Sequence, residues 1–318
     1  EEGDIGNGAW GGAIFNYGTI DSINGNFIGN YAFINSTNST LGFGGAIGNR
    51  NTIGTIVGDF IGNHSSSVGG AIANLKTIES ITGDFINNTA NLDGGAIYNN
   101  HDGTISNING NYIQNQAKYG GAIYNEKKIT NINGTFSQNN ATEHGGAIYN
   151  NTASPNEDTI IENIEADFYS NSAGKQGGAI YNAGGFKIGQ IEGNFIENTA
   201  GTDGGAIYNS TGSIDSIVGN FIENTSSTDG GAVYNTGTIG YYIENPEILT
   251  GLEGDFIKNT STNGDGGAIF NNGIIFGIAG DFRENTATNG DGGAIYNEID
   301  GAILYISGDF NSNTSSNI

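Results

Sequence analysis

Five aspartates stand directly before a Gly-Gly-Ala triplet: Asp93, Asp203, Asp229, Asp265 and Asp291. The last four do so at consecutive occurrences of the triplet, 26, 36 and 26 residues apart. Carboxylates brought within about 5 Å of one another raise each other's pKa unless a cation lies between them. Calcium, which takes carboxylate and carbonyl oxygens, is the ion such a column would hold. Asp203, Asp229, Asp265 and Asp291 are therefore the candidate metal ligands. The pattern lacks the second acidic ligand in fixed register that calcium-binding nonapeptide repeats carry. A solvated acidic corner is the stronger expectation, and no cofactor other than calcium is implied.

The other chemistry-bearing residues are aromatic. Tyr98, Tyr124, Tyr149, Tyr181, Tyr208 and Tyr234 each lie between an Ile or Val and an Asn, and Phe270 and Tyr296 continue the series. On a strand the middle residue points away from its two neighbours. With Ile and Asn assigned to the inside, the tyrosines form an outward stripe. Such a stripe either stacks on a sugar or a partner or packs on itself and stiffens one sheet; the second is the stronger expectation. Glycoside hydrolysis needs two carboxylates roughly 5–10 Å apart, yet the carboxylates here sit at repeat positions, and no segment gathers Asp, His and Arg together. His64, His101 and His144 have no nucleophile beside them in sequence, and Arg50 and Arg283 are far apart. The chain reads as non-enzymatic. Thr19, Thr52, Thr77 and Thr104 begin a column, but Lys128 and Lys187 interrupt it, against the flat threonine grid of an ice-binding face.

These residues recur because the chain repeats. Gly-Gly-Ala-Ile, or once Gly-Gly-Ala-Val, begins at eleven positions from Gly11 to Gly292, and seven of the ten steps between them are 25 to 27 residues. Each copy continues with a variable residue and an invariant Asn. After it comes Ile-x-x-Ile-x-Gly-x-Phe-x-x-Asn, with Tyr112 replacing Phe, Ala166 replacing Gly, and Leu249 and Leu252 read as replacing both isoleucines. A fixed period of this length marks a solenoid whose repeats need their neighbours to bury a core. Three short apolar pieces per period, rich in Gly, Asn, Thr and Ile, form strands rather than helices. The predicted fold is all-β: a right-handed parallel β-helix of about eleven three-strand coils, a rod of about 50 Å. In it every inward position becomes a ladder. Asn99, Asn125, Asn150, Asn182 and Asn209 form one amide ladder, and Asn115, Asn139, Asn171, Asn198 and Asn224 a second. Each amide donates to one neighbour and accepts from the other. Phe136, Phe168, Phe195 and Phe221 stack in the core. The paired glycines mark a corner where a Cβ would clash or φ is positive.

Residues 1–318 read as a single domain, with 1–10 a partial N-terminal coil. Extra residues enter at 31–43, 151–160 and 236–248, which are expected as corner loops; both prolines, Pro155 and Pro246, lie in the last two. Thirty-three acidic residues against nine basic ones give a net charge of −24. That excludes nucleic acid and anionic membrane surfaces as partners, since either needs a basic face. The chain has no Cys, so neither disulfides nor thiolate–metal sites hold it. No apolar run is long enough for a membrane-spanning helix. With no Met and no visible signal peptide, the chain reads as a mature or excised segment.

Tandem Gly-Gly-Ala-Ile and Phe-x-x-Asn motifs over residues 11–313 resemble the passenger domains of the polymorphic outer-membrane proteins of chlamydiae and, more broadly, autotransporter passengers. The resemblance implies a bacterial, extracellular, surface-displayed β-helix. It would serve as an adhesin-like passenger or structural stalk, exported through a C-terminal β-barrel and meeting a host-cell or matrix surface. This segment itself shows no barrel-type strand pattern, and its unusually uniform repeats suit a spacer. Asp4-Ile5-Gly6-Asn7 looks like the tail of a preceding coil, and the chain stops at nearly the same phase. The alternative expectation is therefore a filament subunit that stacks on copies of itself end to end.

Overall fold

A computed structural model describes residues 8–33, 41–151, 160–244 and 247–316. It is a parallel β-helix. Two sheets of 11 strands and one of 23 run its length, and in the two smaller sheets each strand pairs with its counterpart one coil away. Residues of the Ile-x-Asn segment, such as Ile123–Asn125, build the first sheet. Ile-x-x-Ile and Phe-Ile pieces, such as Thr77–Thr82 and Phe85–Ile86, build the large one. Short pieces after the second asparagine, such as Thr89–Ala90, build the third. The motif therefore stacks in register throughout. Ile123 lies on Ile148 and Asn125 on Asn150.

The core is the sum of the ladders. From Phe27 through Tyr112 to Phe310 the rings stack with centroids 4.3–5.0 Å apart and planes within 7° of parallel. That separation is the spacing of neighbouring strands, so the backbone ladder sets the stack. Phe136, Phe168, Phe195 and Phe221 are all fully or almost fully buried. Burial of each such ring contributes about 1.5–3 kcal/mol.

Buried amides cost free energy unless their bonds are met, and here the repeat meets them. Asn115 Nδ2 donates to Asn139 Oδ1 at 3.0 Å and to the Phe85 carbonyl at 2.9 Å. Its Oδ1 accepts from the backbone N–H and the Nδ2 of Asn88, both at 3.0 Å. The pattern continues through Asn139, Asn171, Asn198 and Asn224. In the other ladder, Asn99, Asn125, Asn150, Asn182 and Asn209 pass one Nδ2-to-Oδ1 bond along at 2.8–2.9 Å. Both expected ladders are present.

The two motif glycines serve different needs. Gly120 adopts φ +60, and a Cβ there would lie 2.2 Å from the Ile123 carbonyl oxygen. Gly121 has ordinary φ, but a Cβ would lie 2.0 Å from the carbonyl oxygen of Gly146, its counterpart in the next coil.

The insertions depart from the simple corner-loop expectation. Of 31–43, Tyr31–Ala32 pairs with His64–Ser65 and Gly42–Phe43 pairs with Ala9–Trp10, so the ends of this insertion are strand; 34–40 lie outside the described residues. Of 151–160, Ile160 opens the strand Ile160–Tyr169, and 152–159 lie outside. The third insertion is a correction. Ile239, not Leu249, occupies the first isoleucine position, in register with Ile214 and Ile275 and fully buried. Leu252 takes the second position, and Leu249 is exposed. The extra residues thus leave the middle of the long strand. There Tyr242–Glu244 and Glu247–Leu249 form an antiparallel hairpin, with Pro246 outside the described residues. Leu249 stands three residues before Leu252, so it satisfied the spacing without satisfying the burial. Of 1–10, residues 1–7 lie outside, and Ala9–Trp10 forms the strand already noted. Among the described residues no helix is long and apolar enough to cross a membrane.

Candidate functional site

Two neighbouring columns carry the side chains singled out in the sequence. Rings from Tyr98 through Tyr124, Tyr149, Tyr181, Tyr208, Tyr234 and Phe270 to Tyr296 follow one another at 4.7–5.6 Å. They lie on the opposite face of their strands from the buried isoleucines, as expected. The stripe is not an open surface, however. Tyr98 and Tyr124 are each 8 % exposed, and Tyr149, Tyr181, Tyr208 and Tyr234 are half-buried. The cause is the residue before Gly-Gly-Ala. In the early coils it is Phe43, Val68, Asp93, Tyr119 and His144, of which Phe43 pairs with Val68, and Tyr119 with Asp93 and His144. Phe43, Val68 and Tyr119 pack with Ala73, Leu75, Tyr98 and Tyr124 into a second apolar cluster outside the main core. His144 lies 4.9 Å from Tyr181 and 5.8 Å from Tyr119, ring centre to ring centre.

In the later coils the same position is acidic. Asp203, Asp229, Asp265 and Asp291 do form one column, but the carboxylates of the first three are already hydrogen-bonded. The N–H groups of Asp265 and Asp291 donate to Asp229 and Asp265 Oδ1, both at 2.7 Å. Asp203 Oδ1 accepts from Thr228 Oγ1 at 2.6 Å and its Oδ2 from Gln176 at 3.0 Å. Burial raises the Asp229 pKa, the Asp265 N–H opposes that, and the charges of Asp203, Asp265 and Glu298 add to the rise. Among the described residues, no three His, Asp or Glu side chains converge as a metal-holding group.

Sequence reading missed two features. Asp or Asn between Gly and Phe forms another column, in which Asp59, Asp84, Asp255 and Asp281 each accept the N–H of their counterpart. Its signal was present, since ten of eleven copies carry Asp or Asn there. The second is an acidic pair beside the tyrosine column, buried Glu126 and half-buried Asp93. Glu126 is 7 % exposed and accepts from Tyr98 Oη at 2.7 Å. Burial raises its pKa, against hydrogen bonds from Tyr98 and from the His101 backbone. Asp93 is pushed up to about 7, by burial first and then by the Glu126 charge. Nothing in the motif pattern marked Glu126, because its position varies from coil to coil. Of the histidines, His64 Nδ1 meets Thr89 Oγ1 at 2.6 Å and His101 is exposed. Arg283 pairs with Asp281 at 2.5 Å and with Asp255 at 3.7 Å.

The Chlamydia polymorphic membrane protein repeat matches residues 83–100, 133–151, 165–183, 193–210, 219–236 and 281–298. Each match runs from the Phe-x-x-Asn strand of one coil through Gly-Gly-Ala-Ile-aromatic-Asn of the next. No curated protein and no solved structure matches the chain.

Proposed function

We infer, from a chain built of polymorphic membrane protein repeats, that this is a surface-exposed, non-enzymatic β-helix. It acts as an adhesin-like passenger or stalk facing a host-cell or matrix surface. The observation that carries the reading is the continuity of the ladders. Both asparagine ladders and the phenylalanine stack extend from the first coil to the last, so the repeated side chains are spent on holding one coil to the next. A rigid rod that displays its corners is what such spending produces. Beads coated with the purified chain should bind cultured epithelial cells or matrix-coated wells saturably, and soluble chain should compete. Binding no greater than that of albumin-coated beads on every surface overturns the adhesive reading.

A second reading is end-to-end assembly. Phe310 and Ile306 of the last coil are 51 % and 40 % exposed, whereas Phe282 and Ile278 one coil below are fully buried. That face accepts one further coil, from a continuing chain or from another copy. Light scattering through a salt series distinguishes an assembling chain from a monomer, with salt screening the −24 charge.

A further inference from the structure

Beside the first coils lies a cleft of about 680 Å³, within the range of small-ligand sites. Its cations are unusual for so acidic a molecule, which has nine Lys and Arg residues in all. Arg50 and Lys76 line it, with His101 from the third of three successive coils. Lys76 is matched by Asp102 at 3.1 Å, whereas the Arg50 guanidinium has no carboxylate partner among the described residues. It is held instead over two rings, 5.3 Å from the centre of Trp10 and 5.6 Å from that of Tyr17. Trp10 stacks on Phe43 at 4.0 Å and 6°, which fixes the platform under the cation. Phe43 and Leu75 supply apolar lining, the 61 % exposed Tyr17 an open ring, and Asn51 and Thr77 hydroxyl-binding groups.

We propose that this cleft binds a sugar bearing a single carboxylate, at the end of a glycan. An aromatic ring packs on a sugar's C–H face while amide and hydroxyl groups pair with its hydroxyls. The planar guanidinium accepts a carboxylate bidentately. One uncompensated cation matches one anionic charge. The chain's net charge of −24 disfavours a polyanion. The proposal rests on the adhesive reading and names its ligand class.

Trp10 is the only tryptophan in the chain, so its fluorescence reports the Arg50 platform directly. Titration with N-acetylneuraminic acid and with methyl β-glucuronide should change that fluorescence saturably in the millimolar range or below for at least one of them. Methyl β-glucoside should bind about tenfold more weakly or worse. Arg50→Gln should lose at least about tenfold in affinity for the acid sugar; Lys258→Gln, remote from the cleft, should lose none. A superimposable circular-dichroism melt keeps the Arg50→Gln comparison valid, and Tyr17→Ala serves as the second variant if it differs. No fluorescence change with either acid sugar overturns the proposal, as does equal binding of the neutral glycoside or an Arg50→Gln variant that binds unchanged. Cell binding that persists in Arg50→Gln while the acid sugar fails to bind sinks the cleft and leaves adhesion standing. Loss of cell binding by the native chain sinks adhesion itself.

Discussion

Single residues show how closely each ladder position is used. Asn150 donates to Asn182 and accepts from Asn125, both at 2.9 Å. Asn150→Ala should leave both neighbours short of a partner and cost about 1–3 kcal/mol in a denaturant melt. Tyr112 is the opposite case. Its ring fills the phenylalanine stack, but its fully buried hydroxyl meets no partner. Tyr112→Phe should therefore stabilise by about 1 kcal/mol, since removing an orphaned buried donor recovers its desolvation. Asp93 gives a pH signature. Its folded pKa of about 7 lies above the 3.8 of an exposed carboxyl, so the folded state keeps a proton that the unfolded chain releases. The stability that Asp93 contributes should be fully present below about pH 4, fall as pH rises towards 7 and then level off. Asp93→Asn should flatten that fall, as followed by thermal melts across the pH range.

Secondary elements are short here, and their turns carry the strain. The residue just before the second-ladder asparagine is left-handed in every coil: glycine in the first two, and non-glycine with φ 50–57 in the other nine. Left-handed φ costs a non-glycine residue about 1–2 kcal/mol. Lys258 at φ 54 is exposed, and its ion pair with Glu223 at 3.8 Å is weak. Lys258→Gly should accordingly raise stability by up to about 1 kcal/mol in chemical denaturation, after the entropy glycine adds to the unfolded chain. The sequence contains this turn only as an absence of pattern, because Asn87, Gln114, Ser170 and Lys258 share no chemistry. Ladders were legible because identical residues at a fixed period must stack. Ile239 was misread because a hairpin interrupts its strand, and spacing alone favoured Leu249. The covered state of Tyr98 and Tyr124 was hidden for a different reason. It depends on a column that changes from apolar to acidic along the rod, and only the acidic half repeats one residue. Arg50, Lys76 and His101 stand one or two positions after successive ladder asparagines, a cluster visible only once coils are aligned.

At the scale of the molecule, the coil is the unit of structure. A solenoid of this kind is stabilised by each repeat and its contacts with the neighbours, so a whole repeat can leave without disturbing the rest. Removing residues 204–229 takes out one period of 26 and joins Asp203 to Gly230, which restores the same residue before Gly-Gly-Ala. Asn182 then meets Asn235, and Phe195 meets Phe256. Removing only residues 204–216 takes out half a period and sets the coils after the junction out of phase with those before it. The decisive measurement is the thermal melt of these two deletions beside the native chain. The account predicts a cooperative transition within a few degrees of native for the whole-coil deletion, and unfolding or aggregation for the half-coil deletion. Equal damage from both would contradict it.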